Sequence, residues 1–126
     1  TILTEEAQKV GRHYTPDARP EAGLFYRSDH FPMAKRGVPA ISFNPGRELV
    51  NGGEARGKEL ADAYTRDRYH QPADEYDESW NTSSWAGDMG LLYATGRRVA
   101  DSHVWPNWSA DSEFRAARDA SAAQRK

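Results

Sequence analysis

The stretch VPAISF, Val38 to Phe43, decides how the fold is read. It is short, apolar and follows a glycine, as a buried parallel strand would. It is also the one firm strand candidate in 126 residues. A lone strand cannot make a sheet. Its neighbours read as helices, so the pattern predicts the tail end of an α/β domain whose other strands precede Thr1.

Working outward, Thr4 is placed to cap a helix running to about Arg12, with Glu5 and Glu6 at its positive end. YTPDARPEAG reads as a loop from its prolines and glycine. LFY, Leu24 to Tyr26, is a short apolar run. Ser28-Asp29 can cap a second helix across Phe31 to Arg36, ended by Gly37. NPGRELVNGGEARG holds two turn signals, and a helix is expected over Glu54 to Thr65 with Leu60, Ala61 and Tyr64 on one face. Trp85, Met89, Leu92, Tyr93, Gly96, Val99 and Ala100 then form a helical stripe. Three glycines interrupt that helix, Gly87, Gly90 and Gly96, each costing about 1 kcal/mol against alanine. Close packing against another element is the usual compensation. Beyond VWPNW, PNWSADSEF reads as a packing clip, and residues 109–126 as a helix-prone tail that frays.

Composition bounds the rest. The chain is a single domain by length, with no repeats, and 1–126 reads as one portion of one domain. A hydrophobic fraction of 37% and a mean hydropathy of −0.92 are polar for a compact domain. Four Trp, six Tyr and four Phe nevertheless argue against disorder. A net charge of −2 with interspersed signs leaves no footprint for nucleic acid. No apolar run approaches a bilayer span. The chain starts at Thr1 without Met, as a processed or cut chain would. With no cysteine, disulfides, thiolate metal sites and cysteine nucleophiles are excluded, and any metal needs His and carboxylate ligands.

The chemistry concentrates in RDRYHQPADEYDESW, Arg66 to Trp80. A neutral imidazole is the commonest protein ligand for zinc. It needs an acceptor for its second ring nitrogen. For His70, Asp74, Glu75 and Asp77 lie close behind in sequence, with Pro72 stiffening the loop. The other reading is a surface histidine in an acidic loop, and the residues alone leave both open. Asp29-His30 could likewise orient a base, ligate a metal or cap a helix. The glycines of NPG and NGG are turn glycines and open no phosphate cradle. There is no GxSxG, so no serine nucleophile elbow is indicated.

Taken in order, GLFYRSDHFPMAKRGVPAISF, YTRDRYHQPADEYDESW, LLYATGRRVAD and PNWSADSEF resemble the C-terminal part of the M28 family of zinc metallopeptidases, from about Val10 to Arg118. The resemblance implies a three-layer α/β/α zinc-exopeptidase fold, of which this chain holds mostly helices plus one or two strands. It implies an aminopeptidase with two zinc ions and a general-base glutamate, hydrolysing N-terminal peptide bonds through a zinc-activated water. His70 falls on a zinc-ligand position and Tyr69 on an oxyanion donor. Asp29 and His30 match an SDH that supports the pocket, and Ser28 and Arg27 border the substrate. The remaining ligands would precede Thr1, so the isolated chain is expected to hold an incomplete site. Its expected partners are a peptide or aminoacyl substrate, and the missing N-terminal part of the domain or a second copy of itself. The apolar stripe would be left exposed without one. Family likeness also favours a secreted or periplasmic location. Two further readings stay open: a non-catalytic interaction module of the same fold, and a glutaminyl-cyclase-like acyltransferase. The latter is expected to carry Trp at the position of Tyr69.

Overall fold

A computed structural model describes residues 1–125. Among them the regular structure is helical: α1 (Ile2–Lys9), α2 (Phe31–Lys35), α3 (Gly53–Asp67), α4 (Trp85–Ala100) and α5 (Arg115–Ala120). Short 3₁₀ turns occupy Pro20–Ala22, Leu24–Arg27 and Ala122–Gln124. The pairing of strands is reduced to one isolated bridge between Leu49 and Gly53.

VPAISF is therefore not a strand here. The segment carries no regular structure, and Val38 and Ile41 are 45% and 57% exposed. The physical reason is simple. A strand is defined by a ladder, and no second strand lies beside this one among the described residues. The one or two strands expected for this chain are thus replaced by an unpaired apolar segment.

The chain divides into two compact units, Asn44–Met89 and the remainder, Thr1–Phe43 with Gly90–Lys126. In the second of these, α1 is capped by Thr1 rather than Thr4: the Thr1 hydroxyl accepts from the Thr4 amide at 3.3 Å. Arg98 on α4 donates to Glu5 at 2.5 Å and to the buried Glu6 at 3.0 Å. Glu6 also accepts from Lys9 at 2.7 Å, and these two cations hold its carboxyl below the usual range, Lys9 first.

The same unit is closed by the clip. Phe25, Phe31, Trp108 and Phe114 meet edge-on or tilted, with ring centroids 5.1–6.3 Å apart. Such pairs contribute about 0.5–1.5 kcal/mol each beyond their buried area. The Trp108 indole N–H donates to the Gly37 carbonyl at 3.1 Å. The helix-prone tail carries α5, with Phe114 and Arg118 buried. Arg118 donates twice to the Pro106 carbonyl, at 3.1 and 2.8 Å, and its guanidinium lies 5.8 Å from the Trp105 ring centre.

The apolar stripe of α4 faces outward. Trp85, Met89, Leu92 and Tyr93 are 49%, 61%, 41% and 67% exposed, whereas Leu91 is buried. At two of its three glycines the expected close packing is not found: a Cβ on Gly90 or Gly96 would meet open space.

In the other unit, the loop after Phe43 runs against α3 at Gly57, where a Cβ would collide with the Arg47 carbonyl. Helix α3 starts one residue earlier and ends two residues later than the sequence suggests, reaching Asp67.

Gly37 offers a clean test. Its φ is +80°, and a Cβ there would lie 2.5 Å from the Arg118 amide nitrogen. Gly11 has φ +71° with open space around it. Gly11→Ala should therefore cost only the left-handed penalty, about 1–2 kcal/mol. Gly37→Ala should cost clearly more, because backbone must also move. Urea denaturation of both variants, followed by tryptophan fluorescence, measures the difference; equal losses would contradict the packing described.

Candidate functional site at the end of helix α3

Helix α3 does not stop cleanly. The amides of Arg68 and Tyr69 both donate to the Tyr64 carbonyl, each at 2.9 Å. The Gln71 amide then donates to the Arg68 carbonyl at 2.8 Å, closing a four-residue turn over Tyr69 and His70. His70 sits at the third position of that turn with φ +59°, the one non-glycine residue with positive φ among those described. Turns with positive φ at this position ordinarily use glycine. Histidine tolerates the left-handed region better than most residues, but it is still strained there.

The turn brings Tyr69 and His70 together. Their rings stack at 4.0 Å between centroids and 21° between planes. Both are exposed, Tyr69 by half. Tyr64 leans on Tyr69 from the helix side, with centroids 6.0 Å apart.

The acidic residues behind His70 are committed elsewhere. Asp74 accepts from the Tyr64 hydroxyl at 2.9 Å. That bond, more than burial, raises the Tyr64 phenol above its ordinary pKa. Asp77 accepts from the Ser79 amide at 2.8 Å, and Ser79 holds its carboxyl below the usual range. Glu75 is exposed. The acceptor expected for His70 among these three is thus not where sequence proximity suggested.

Ser28 and His30, in the other compact unit, form a second arrangement. The Ser28 hydroxyl donates to the Phe25 carbonyl at 2.5 Å. With its proton committed there, Ser28 Oγ accepts from His30 Nε2 at 3.1 Å. The His30 ring packs against Phe25 at 5.0 Å. Asp29 is exposed, and α2 begins at His30 without a side-chain cap, so the expected Ser28-Asp29 cap is not made. Arg27 is exposed at the end of its 3₁₀ turn.

A catalytic zinc takes three protein ligands and a water. Among the described residues, no group of three His, Asp or Glu side chains converges to hold a metal. His70 is a single donor with its ring exposed. The residues present therefore do not fit a complete zinc centre.

The backbone strain at His70 is measurable. Elsewhere in a chain Ala is more stable than Gly by about 0.5–1 kcal/mol. At a left-handed position the order reverses, since Ala carries a penalty of about 1–2 kcal/mol. His70→Gly should therefore be more stable than His70→Ala by about 1 kcal/mol in urea denaturation. An alanine variant as stable as the glycine variant would show that His70 is not held left-handed.

The sequence model described as Peptidase family M28 matches residues 1–94 of the 126. The matched region includes Tyr69-His70 and Arg27 to His30, and stops short of the clip around Trp108 and Phe114. Members of this family are peptidases, hence hydrolases, and are generally zinc-dependent. No curated protein and no solved structure matches the chain. No helix among the described residues is long and apolar enough to cross a membrane. With most of its length covered, including both candidate clusters, the chain belongs to peptidase family M28.

Proposed function

We propose that this chain supplies the C-terminal part of a zinc-dependent aminopeptidase of family M28, and that Tyr69 and His70 are its contribution to the active site. The observation that carries the reading is the strained turn at the end of α3. A histidine occupies a glycine-type position there, φ +59°, inside the family match. Strain of this kind costs about 1–3 kcal/mol and tends to gather at functional sites.

In this reading His70 is one metal ligand, and the others belong to the part of the family fold that precedes Thr1. Tyr69 donates a hydrogen bond to the oxygen that becomes negative as the N-terminal peptide bond is attacked. Such a bond strengthens as charge develops. Ser28 and Arg27 border the substrate, and Asp29 and His30 support the pocket. His30 suits that role because its ring is held in place by the Ser28 hydroxyl and by Phe25. Zinc supplies water activation and carbonyl polarisation in enzymes of this kind.

The three-layer α/β/α architecture belongs to the same proposal. It is supported by the unpaired apolar segment Val38 to Phe43 and by the outward stripe of α4, which is apolar and pitted at Gly96. Exposed apolar area of this extent marks an interaction surface in soluble proteins. The partner proposed is the rest of the peptidase domain. A secreted or periplasmic location rests on family likeness.

Three measurements test this. Thr1–Lys126 alone should release no amino acid from aminoacyl-anilides on adding zinc; zinc-dependent turnover by a monomer of this chain would overturn the reading. In a protein carrying the complete domain, His70→Ala should lower zinc content in elemental analysis. There, Tyr69→Phe should lower kcat by about 10²–10³ with KM nearly constant. A change in KM alone would make Tyr69 a binding residue instead.

A further inference from the structure

The turn that carries Tyr69 and His70 is short, exposed and strained, yet its two rings are held stacked. Something must over-determine it, because a strained residue persists only where its surroundings leave no alternative. Four backbone hydrogen bonds address the turn from within: two to the Tyr64 carbonyl, one from Gln71 to Arg68 and one from Asp74 to Gln71 at 3.0 Å. The Gln71 side chain adds one to the Arg66 carbonyl at 2.7 Å. All of these share one geometry, a chain doubling back on the last turn of α3. What keeps it doubled back is the contact at the two ends of the segment. The Tyr64 hydroxyl reaches Asp74, ten residues on, at 2.9 Å.

Tyr64 is thus connected to the pair three times. Its carbonyl takes the Arg68 and Tyr69 amides, its ring lies against the Tyr69 ring, and its hydroxyl closes the loop behind His70. Resting on the role proposed above for Tyr69 and His70, we infer that Tyr64 and Asp74 form a clasp that positions them. The clasp offsets the left-handed strain at His70 and presents the imidazole and the Tyr69 phenol as one stacked unit. Neither residue touches substrate or metal in this scheme; both act through the pair.

The chemistry suits the task. A neutral phenol donating to a carboxylate is a charge-assisted bond, stronger than a neutral pair. Pro72 sits within the clasped loop and limits the alternatives open to it. Closing a loop of this length needs only one good bond, because the closure entropy of about ten residues is modest and much of it is already met by the helix end. Of the two cations at this helix end, Arg66 is bound to Asp67 at 2.6 Å rather than to Asp74, and Arg68 is the residue that caps the helix.

The test separates the clasp from the peptidase reading. In Thr1–Lys126, the stacked Tyr69 ring should displace the His70 imidazole proton resonances upfield by its ring current. Tyr64→Phe keeps the aromatic contact and removes only the hydroxyl; it should abolish the displacement. Asp74→Ala should do the same, while Asp74→Asn, which keeps an acceptor oxygen, should largely restore it. Retention of the displacement in Tyr64→Phe, with circular dichroism showing an intact fold, would overturn the clasp. In a protein carrying the complete domain, Tyr64→Phe should lower activity or zinc affinity by about 10–100-fold, the usual effect of removing support behind a ligand, with Asp74→Asn milder. Activity unaltered in Tyr64→Phe would also overturn the positioning role. Failure of the peptidase reading shows up elsewhere, as unchanged zinc and turnover in His70→Ala, and leaves the resonance test of the clasp intact.

Discussion

The unit built from the two ends of the chain depends on the approach of Gly37 to Arg118. At Gly37 the backbone turns left-handed, and only a hydrogen in place of Cβ lets the main chain of α5 come this close. The Gly37 carbonyl is then within reach of the Trp108 indole, and Trp108 with Phe114 covers Phe25 and Phe31. Helix α2 is too short to hold itself in water. It persists because its C-terminal glycine is locked under the tail. The buried Arg118, whose cation is pushed toward lower pKa by desolvation, is tolerated because it donates twice to the Pro106 carbonyl and lies against Trp105.

That arrangement explains which parts of the chain were legible in the residues alone. The α4 helix could be read because apolar spacing and length agree, and α3 because good helix formers run between glycine turns. The clip around Trp108 was legible because aromatic residues in a polar tail have few other uses. The strand at Val38 to Phe43 was misread for a physical reason: local sequence reports that a segment would suit a ladder, and says nothing of whether a partner is within reach. The orientation of α4 shows the same limit. Its apolar stripe identifies a face that prefers burial, yet Leu91 on another side is the residue actually covered. Periodicity finds a helix; it cannot say which surface is available.

The site was legible in part. Tyr69 and His70 stand out because histidine is scarce and the ordered motifs match a family. Two features were not visible. One is the left-handed backbone at His70, since no local residue pattern reports φ. The other is Tyr64, which looked like one apolar position on a helix face. Its hydroxyl finds Asp74 only because the chain reverses after Asp67. Proximity in sequence sets Asp74 beside His70, yet the partner it meets is the Tyr64 hydroxyl.

The buried apolar residues among those described, Ala7, Ala34, Leu91 and Phe114, all lie in the unit formed by Thr1–Phe43 and Gly90–Lys126, and none lies in Asn44–Met89. Hydrophobic burial of that size fixes a fold less tightly than hydrogen bonds fix a turn, because it is proportional to area and has no direction. The segment from Tyr64 to Asp74 is therefore organised by its own directional bonds rather than by what lies beneath it. Under the function proposed above, that division suits a segment whose ligand set is completed from elsewhere. The rings of Tyr69 and His70 are already stacked in this chain, so in that reading less ordering entropy would oppose assembly of the centre. The strain at His70 is then not a defect of a loose loop. Under the function proposed above, it is what remains when a tight local network holds the proposed ligand in place, and a glycine there would relax the backbone while removing the imidazole.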